Sequence, residues 1–148
     1  MHILVIYSEH FCYSNDMNKS VNITNIDPLY QKPNGVYVQE IDRIDLPLGF
    51  EPVVRHLVTI PKGAVSANHK HPRKEAFIGI GDDLEFTWLD ETNHVQTFQM
   101  NLDGKLHLIV VDSHVAHAIK NNSQSPAVLL EYADRTQKES DVVGVRLV

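Results

Sequence analysis

From Gly35 onward the chain is a succession of short β-type runs separated by turn residues, and this punctuation leaves few folds open to it. The runs are Val36–Ile41, Val53–Ile60, Ala76–Ile80, Leu84–Leu89, Val95–Met100, Leu106–Val111, Ala116–Ile119 and Ala127–Tyr132. Pro61-Lys62-Gly63, Gly81-Asp82-Asp83, Asp90–Asn93, Leu102-Asp103-Gly104 and Asn121–Pro126 fill the gaps with residues that favour turns. No stretch sustains an apolar helical stripe over three turns, so the pattern predicts an all-β domain, a sandwich or a closed barrel. The length of 148 residues is that of one domain. Glu85–Leu89 and Val95–Met100 read as a hairpin around Asp90–His94, with Phe86, Trp88, Val95 and Phe98 as core candidates.

Residues 1–35 differ in character. An apolar run, Ile3–Tyr7, reads as a strand, and the Asn-, Asp- and Ser-rich stretch Ser14–Pro28 favours turns over periodic structure. The expected organisation is an N-terminal strand and arm over 1–35 and a β-barrel over 36–148. The arm is expected to lie on a neighbouring subunit in a homodimer, and removal of residues 1–10 with a mass measurement in solution tests that. Ile3–Tyr7 is too short to span a bilayer and lacks the basic flank of a secretion signal. Cys12 is the sole cysteine, which excludes an internal disulfide and fits a reducing, cytoplasmic setting. A net charge of −6 gives no general attraction for nucleic acid or anionic membrane, so the expected partners are small molecules or another protein.

Chemistry concentrates in one place. His69, His71 and Glu75 fall within seven positions, and in an extended strand His69 and His71 point to the same face. His117 offers a fourth donor. Imidazole nitrogens with one carboxylate suit a divalent transition metal such as Zn, Fe, Mn or Ni better than Ca or Mg, which take all-oxygen shells. The chain carries no phosphate-cradling glycine loop, no paired-cysteine zinc motif and no G-x-S-x-G nucleophile elbow.

The joint spacing resembles the cupin superfamily. Gly63, His69, His71 and Glu75 fit its first motif, with Gly81 one residue early. His117 and Asn121 fit the end of the second, where Asp112 and His114 stand in place of a Pro and a Gly. The resemblance implies a jelly-roll β-barrel in which the four donors sit inside and hold one divalent metal. Within the superfamily the likeness is nearest to small cupins of surface-polysaccharide biosynthesis, including sugar 3,4-ketoisomerases acting on nucleotide-linked 4-keto-6-deoxy sugars. Val54–Gly63 running into the His pair, and Val115–Asn122 followed by Ala127–Tyr132, carry it. Ser66-Ala67-Asn68 replaces the Arg-Gly that ketoisomerases place before the His pair, and here all four ligand positions are filled.

These residues lead to an expected isomerase or epimerase working on a sugar or nucleotide-sugar. A bound metal would polarise a carbonyl or hydroxyl, and a neutral imidazole would move a proton between neighbouring carbons. His114 is the expected base at a rim or turn. The other free imidazole, His107, lies on the face opposite Leu106 and Leu108, with a surface position the simpler expectation. Arg55, a charge in an otherwise apolar run, is either an edge residue or a contact to substrate phosphate or carboxylate. Tyr132 stands, with a shift of register, where the ketoisomerases carry a tyrosine. Lys70 and Arg73 read as solvated surface charges. Two other functions use the same ligands: an Fe(II)-dependent dioxygenase, and a non-catalytic sugar- or metal-binding module.

Overall fold

The computed structural model describes residues 20–148. The expected strand Ile3–Tyr7, Cys12 and the first part of the arm lie outside the described residues. Twelve strands run in chain order: β1 Val21–Ile26, β2 Tyr30–Gln31, β3 Tyr37–Val38, β4 Val54–Ile60, β5 Val65–Lys70, β6 Glu75–Ile80, β7 Leu84–Leu89, β8 Val95–Met100, β9 Leu106–Val111, β10 His117–Asn121, β11 Ala127–Ala133 and β12 Val143–Gly144. They form two five-stranded antiparallel sheets, β1-β9-β6-β11-β4 and β12-β5-β10-β7-β8, with β2–β3 as a separate hairpin. The interleaved order is that of a jelly roll, the all-β architecture the sequence predicts.

The inner faces of the two sheets share one apolar core. Phe77, Ile109 and Leu129 from the first sheet meet Leu84, Phe86, Met100 and Ile119 from the second. Strand alternation sends the neighbours of the first-sheet residues outward, where Ala76, Ile78, Leu108 and Tyr132 form a second buried cluster with Phe50, flanked by Ile44 and Leu46. One sheet is therefore covered on both sides, and its β6 reads as the nearly continuous apolar run Ala76–Ile80.

Two expectations are corrected here. Residues 21–26, read as part of a turn-rich arm, form the edge strand β1, which pairs with β9 from Val21↔Val111 to Ile26↔Leu106. Val21 and Ile23 reach the inner core, and the intervening Asn and Thr residues are exposed, so the polar composition is that of a half-exposed edge. Val95 is 56% exposed. In the β7–β8 register Phe86 faces Phe98 and Trp88 faces Gln96, so even-numbered residues of β8 point inward and Val95 points out.

Gly63 adopts φ +69°, a left-handed conformation that only Gly occupies at little cost, at the turn before β5. Asn121 closes the same end: its amide donates to the carbonyls of Ile60 and Ser125, and its oxygen accepts from Ser123. The match of Asn121 to the second motif is thus structural, a buried side chain tying the turn after β4 to the loop after β10.

Candidate metal centre

His69 comes from the end of β5, His71 follows it, Glu75 opens β6 and His117 opens β10. Their donor atoms all lie within 4.8 Å of one another. His71, Glu75 and His117 are almost wholly buried, and His69 is half-buried. The rings of Phe77 and Phe86 lie beneath His117, with centroids at 5.8 and 6.3 Å, so the inner side of the cluster is apolar.

Local structure aims these side chains. Just before His69, Ala67 and Asn68 both take left-handed backbone, φ 72° and 65°, and the β5–β10 register shifts between His117↔His69 and Ala118↔Ala67. Such a bulge re-aims the residue that follows it. For Ala67 this conformation costs about 1–2 kcal/mol, while Asn tolerates it better. The bulge is pinned from outside. The Asn68 side chain accepts from the Leu147 amide at 3.0 Å and donates to the Val148 carbonyl at 3.2 Å, and β12 pairs Gly144 with His69.

The orientation of two imidazoles follows from their backbone partners. His71 Nδ1 lies 3.1 Å from the Arg73 carbonyl and His117 Nδ1 lies 2.9 Å from the Val115 carbonyl. A carbonyl oxygen only accepts, so each Nδ1 carries the hydrogen and each neutral ring presents a bare Nε2. Among the described residues neither Nε2 atom, both buried, has a hydrogen-bond partner, and each is 3.1 Å from Glu75 Oε2. Two lone pairs facing a carboxylate oxygen repel one another unless a cation stands among them. Burial lowers His69 to about 4, so it is neutral at pH 7 and free to donate its lone pair. The residues therefore fit a divalent transition metal in donor type, tautomer and convergence.

Of the other expected site residues, none joins this cluster. Tyr132 and Arg55 face each other across the β11–β4 register, on the outer face of the first sheet. Arg55 is exposed on an edge strand, in keeping with the edge reading. His114 is exposed, in left-handed backbone at φ 63°, in the turn where the cupin motif has Gly. Its amide donates to the His71 carbonyl at 2.7 Å, and its side chain lines a separate cleft of about 330 Å³ with Lys70, Asp90 and Val145. His107 is half-buried, not a surface residue, and lies on the inner face of β9 with its ring edge-on to Phe98 at 4.9 Å. It stands four residues from Val111, the partner of Glu75, roughly 13 Å away along the strand.

Three site residues were missed by sequence reasoning. Arg73, read as a solvated charge, is only 9% exposed, with Nη2 on Glu75 Oε1 and 2.9 Å from Glu131 Oε1. His56 Nδ1 is 3.5 Å from that same Glu131 oxygen. The available signal was alternation: Val58 and Ile60 face the core, so His56 faces inward and Arg55 outward. No comparable signal reveals Arg73, whose turn position is exposed by default.

No protein-family model matches the chain, and no curated protein sequence matches it. Solved structures do. QdtA, a sugar 3,4-ketoisomerase from Thermoanaerobacterium thermosaccharolyticum in complex with TDP, superposes with a TM-score of 0.66 at 14% identity, over 84% of this chain and 87% of that one. WlaRA, a TDP-fucose-3,4-ketoisomerase from Campylobacter jejuni, gives 0.59 at 13% identity over 83% and 87%. The capsular polysaccharide assembling protein CapF from Staphylococcus aureus gives 0.56 at 14% identity over 63% of this chain, which spans only 27% of CapF. At these identities the likeness is one of fold. The fold is the cupin-type jelly roll that the motifs predict.

Proposed function

We propose that this chain is a metal-binding cupin enzyme that isomerises or epimerises a sugar, most simply a nucleotide-linked sugar. The observation that carries the reading is the meeting of two buried, bare Nε2 atoms with Glu75 Oε2, each at 3.1 Å. The substrate class draws support from fold neighbours: one QdtA structure holds TDP-4-keto-6-deoxyglucose, and WlaRA is a TDP-fucose-3,4-ketoisomerase.

His69, His71, Glu75 and His117 would hold the metal, which when bound supplies a Lewis acid for a sugar carbonyl or hydroxyl. The chain's own residues do the rest. Phe77 and Phe86 close the inner side and keep it dry, which strengthens every charge interaction in the pocket. The Arg73 and Val115 carbonyls keep His71 and His117 in the tautomer that points Nε2 inward. His69, half-buried and neutral at pH 7, is the ligand nearest the open side. For proton transfer His56 replaces His114. It is exposed, stands on the inner face of β4 and is paired with Glu131, an imidazole–carboxylate arrangement suited to a base.

The test is elemental analysis of protein purified without chelator or affinity metal, beside a His69→Ala, His71→Ala double variant. The expected result is about one transition metal per chain, lost in the variant. TDP-4-keto-6-deoxyglucose should then be isomerised by the loaded protein and left intact by the variant. A chain that takes up no metal after reconstitution defeats the Lewis-acid reading and leaves His69 and His71 as proton-transfer bases. Turnover that requires O₂ would make it the Fe(II) oxygenase instead.

A further inference from the structure

One residue controls two of the four candidate ligands. Arg73 lies in the turn between β5 and β6, yet its guanidinium is turned inward and buried. Its carbonyl accepts from His71 Nδ1 at 3.1 Å. Its Nη2 holds Glu75 Oε1, and Glu131 Oε1 anchors the same nitrogen at 2.9 Å. Glu131 is itself fixed on β11, paired with Phe77 on one side and His56 on the other.

We propose that Arg73 is a positioning residue for the metal centre, committing Glu75 Oε1 to the guanidinium so that Oε2 alone is delivered to the imidazoles. This rests on the metal-binding reading above and deepens it. A carboxylate free at both oxygens can rotate or bind a metal through both, whereas one gripped by a guanidinium presents a single oxygen in a fixed direction. One guanidinium nitrogen joins Glu75 of β6 to Glu131 of β11, and the rigid planar group fixes its direction where a lysine ammonium ends a flexible stem.

The experiment uses the full chain loaded with Co²⁺ as the probe, comparing wild type, Arg73→Gln and Arg73→Lys. Affinity is read by chelator competition, coordination by the visible Co²⁺ absorption bands, and folding by thermal denaturation. The expected result is that both variants fold but bind Co²⁺ ten- to a hundredfold more weakly, as loss of outer-shell partners typically does, with altered band positions and intensity. Arg73→Lys keeps the charge, so its failure to restore the wild-type spectrum assigns the effect to geometry. Wild-type affinity and spectrum in Arg73→Gln, whether or not melting falls, would overturn the proposal and leave Arg73 a structural tie. If wild-type protein takes up no Co²⁺, the metal reading itself fails and this role falls with it.

Discussion

The two faces of the β1-β9-β6-β11-β4 sheet are built from the same strands and obey opposite rules. The outer face buries Ala76, Ile78, Leu108 and Tyr132 with Phe50, and its charged Arg55, opposite Tyr132, stays exposed on the edge strand β4. The inner face is equally apolar through Phe77, Ile109 and Leu129, then turns ionic at one end with Glu75, Glu131 and His56. Adjacent residues in one strand therefore meet opposite fates: Glu131 enters the ion-pair chain, while Tyr132 packs among hydrocarbon. The lesson is that this fold tolerates buried charge only where every charge has a partner, and Arg73 supplies it for two carboxylates.

The sharpest way to break the comparison is to treat the neighbours alike. Glu131→Ala leaves the buried Arg73 with one carboxylate instead of two and should cost about 3 kcal/mol of stability by urea denaturation, as broken buried ion pairs do. Tyr132→Phe, one position away, should cost less than about 1 kcal/mol and leave metal uptake unchanged. Equal losses would mean that the two faces are not distinct in the way described.

A smaller effect is expected at His114, whose φ of 63° suits Gly. His114→Gly should stabilise the fold by up to about 1 kcal/mol and leave metal content and turnover intact, read by melting temperature and assay. Lost turnover with retained metal would return His114 to the chemistry.

The smallest effect concerns the barrel end remote from Glu75. Burial, and then the charge of Lys105, lowers the His107 pKa below its ordinary 6.5. The unfolded chain therefore binds a proton that the folded chain refuses. His107 contributes its full share of stability above about pH 6.5, and that share is lost as pH falls through the folded value. His107→Phe should flatten the decline in stability below pH 6.5, measured by denaturation at stepped pH, and an unchanged slope would place the acid sensitivity elsewhere.

Much was legible in the sequence because strand periodicity and turn chemistry are local. Alternating apolar positions and Gly-, Pro- and Asn-marked turns delimit β4 and β6 to β11 within a residue or two, and the spacing of His69, His71, Glu75 and His117 selects the four residues that converge. What stayed hidden is what depends on partners far along the chain. Which face of β4 and β11 looks inward is set by register with strands many residues away, so Arg55 and Tyr132 stood out in sequence where His56 and Glu131 occupy the site. The polar residues of β1 make sense only as an edge strand beside β9. The burial of Arg73 depends on two carboxylates from different strands meeting above it, and the tautomers of His71 and His117 depend on carbonyls that only the folded turns present. Sequence by itself determined strands β4 and β6 to β11 and the donor set, since each follows from local pattern. Tertiary structure alone decided which neighbours face those donors, because pairing between distant strands sets which side of the sheet each residue occupies.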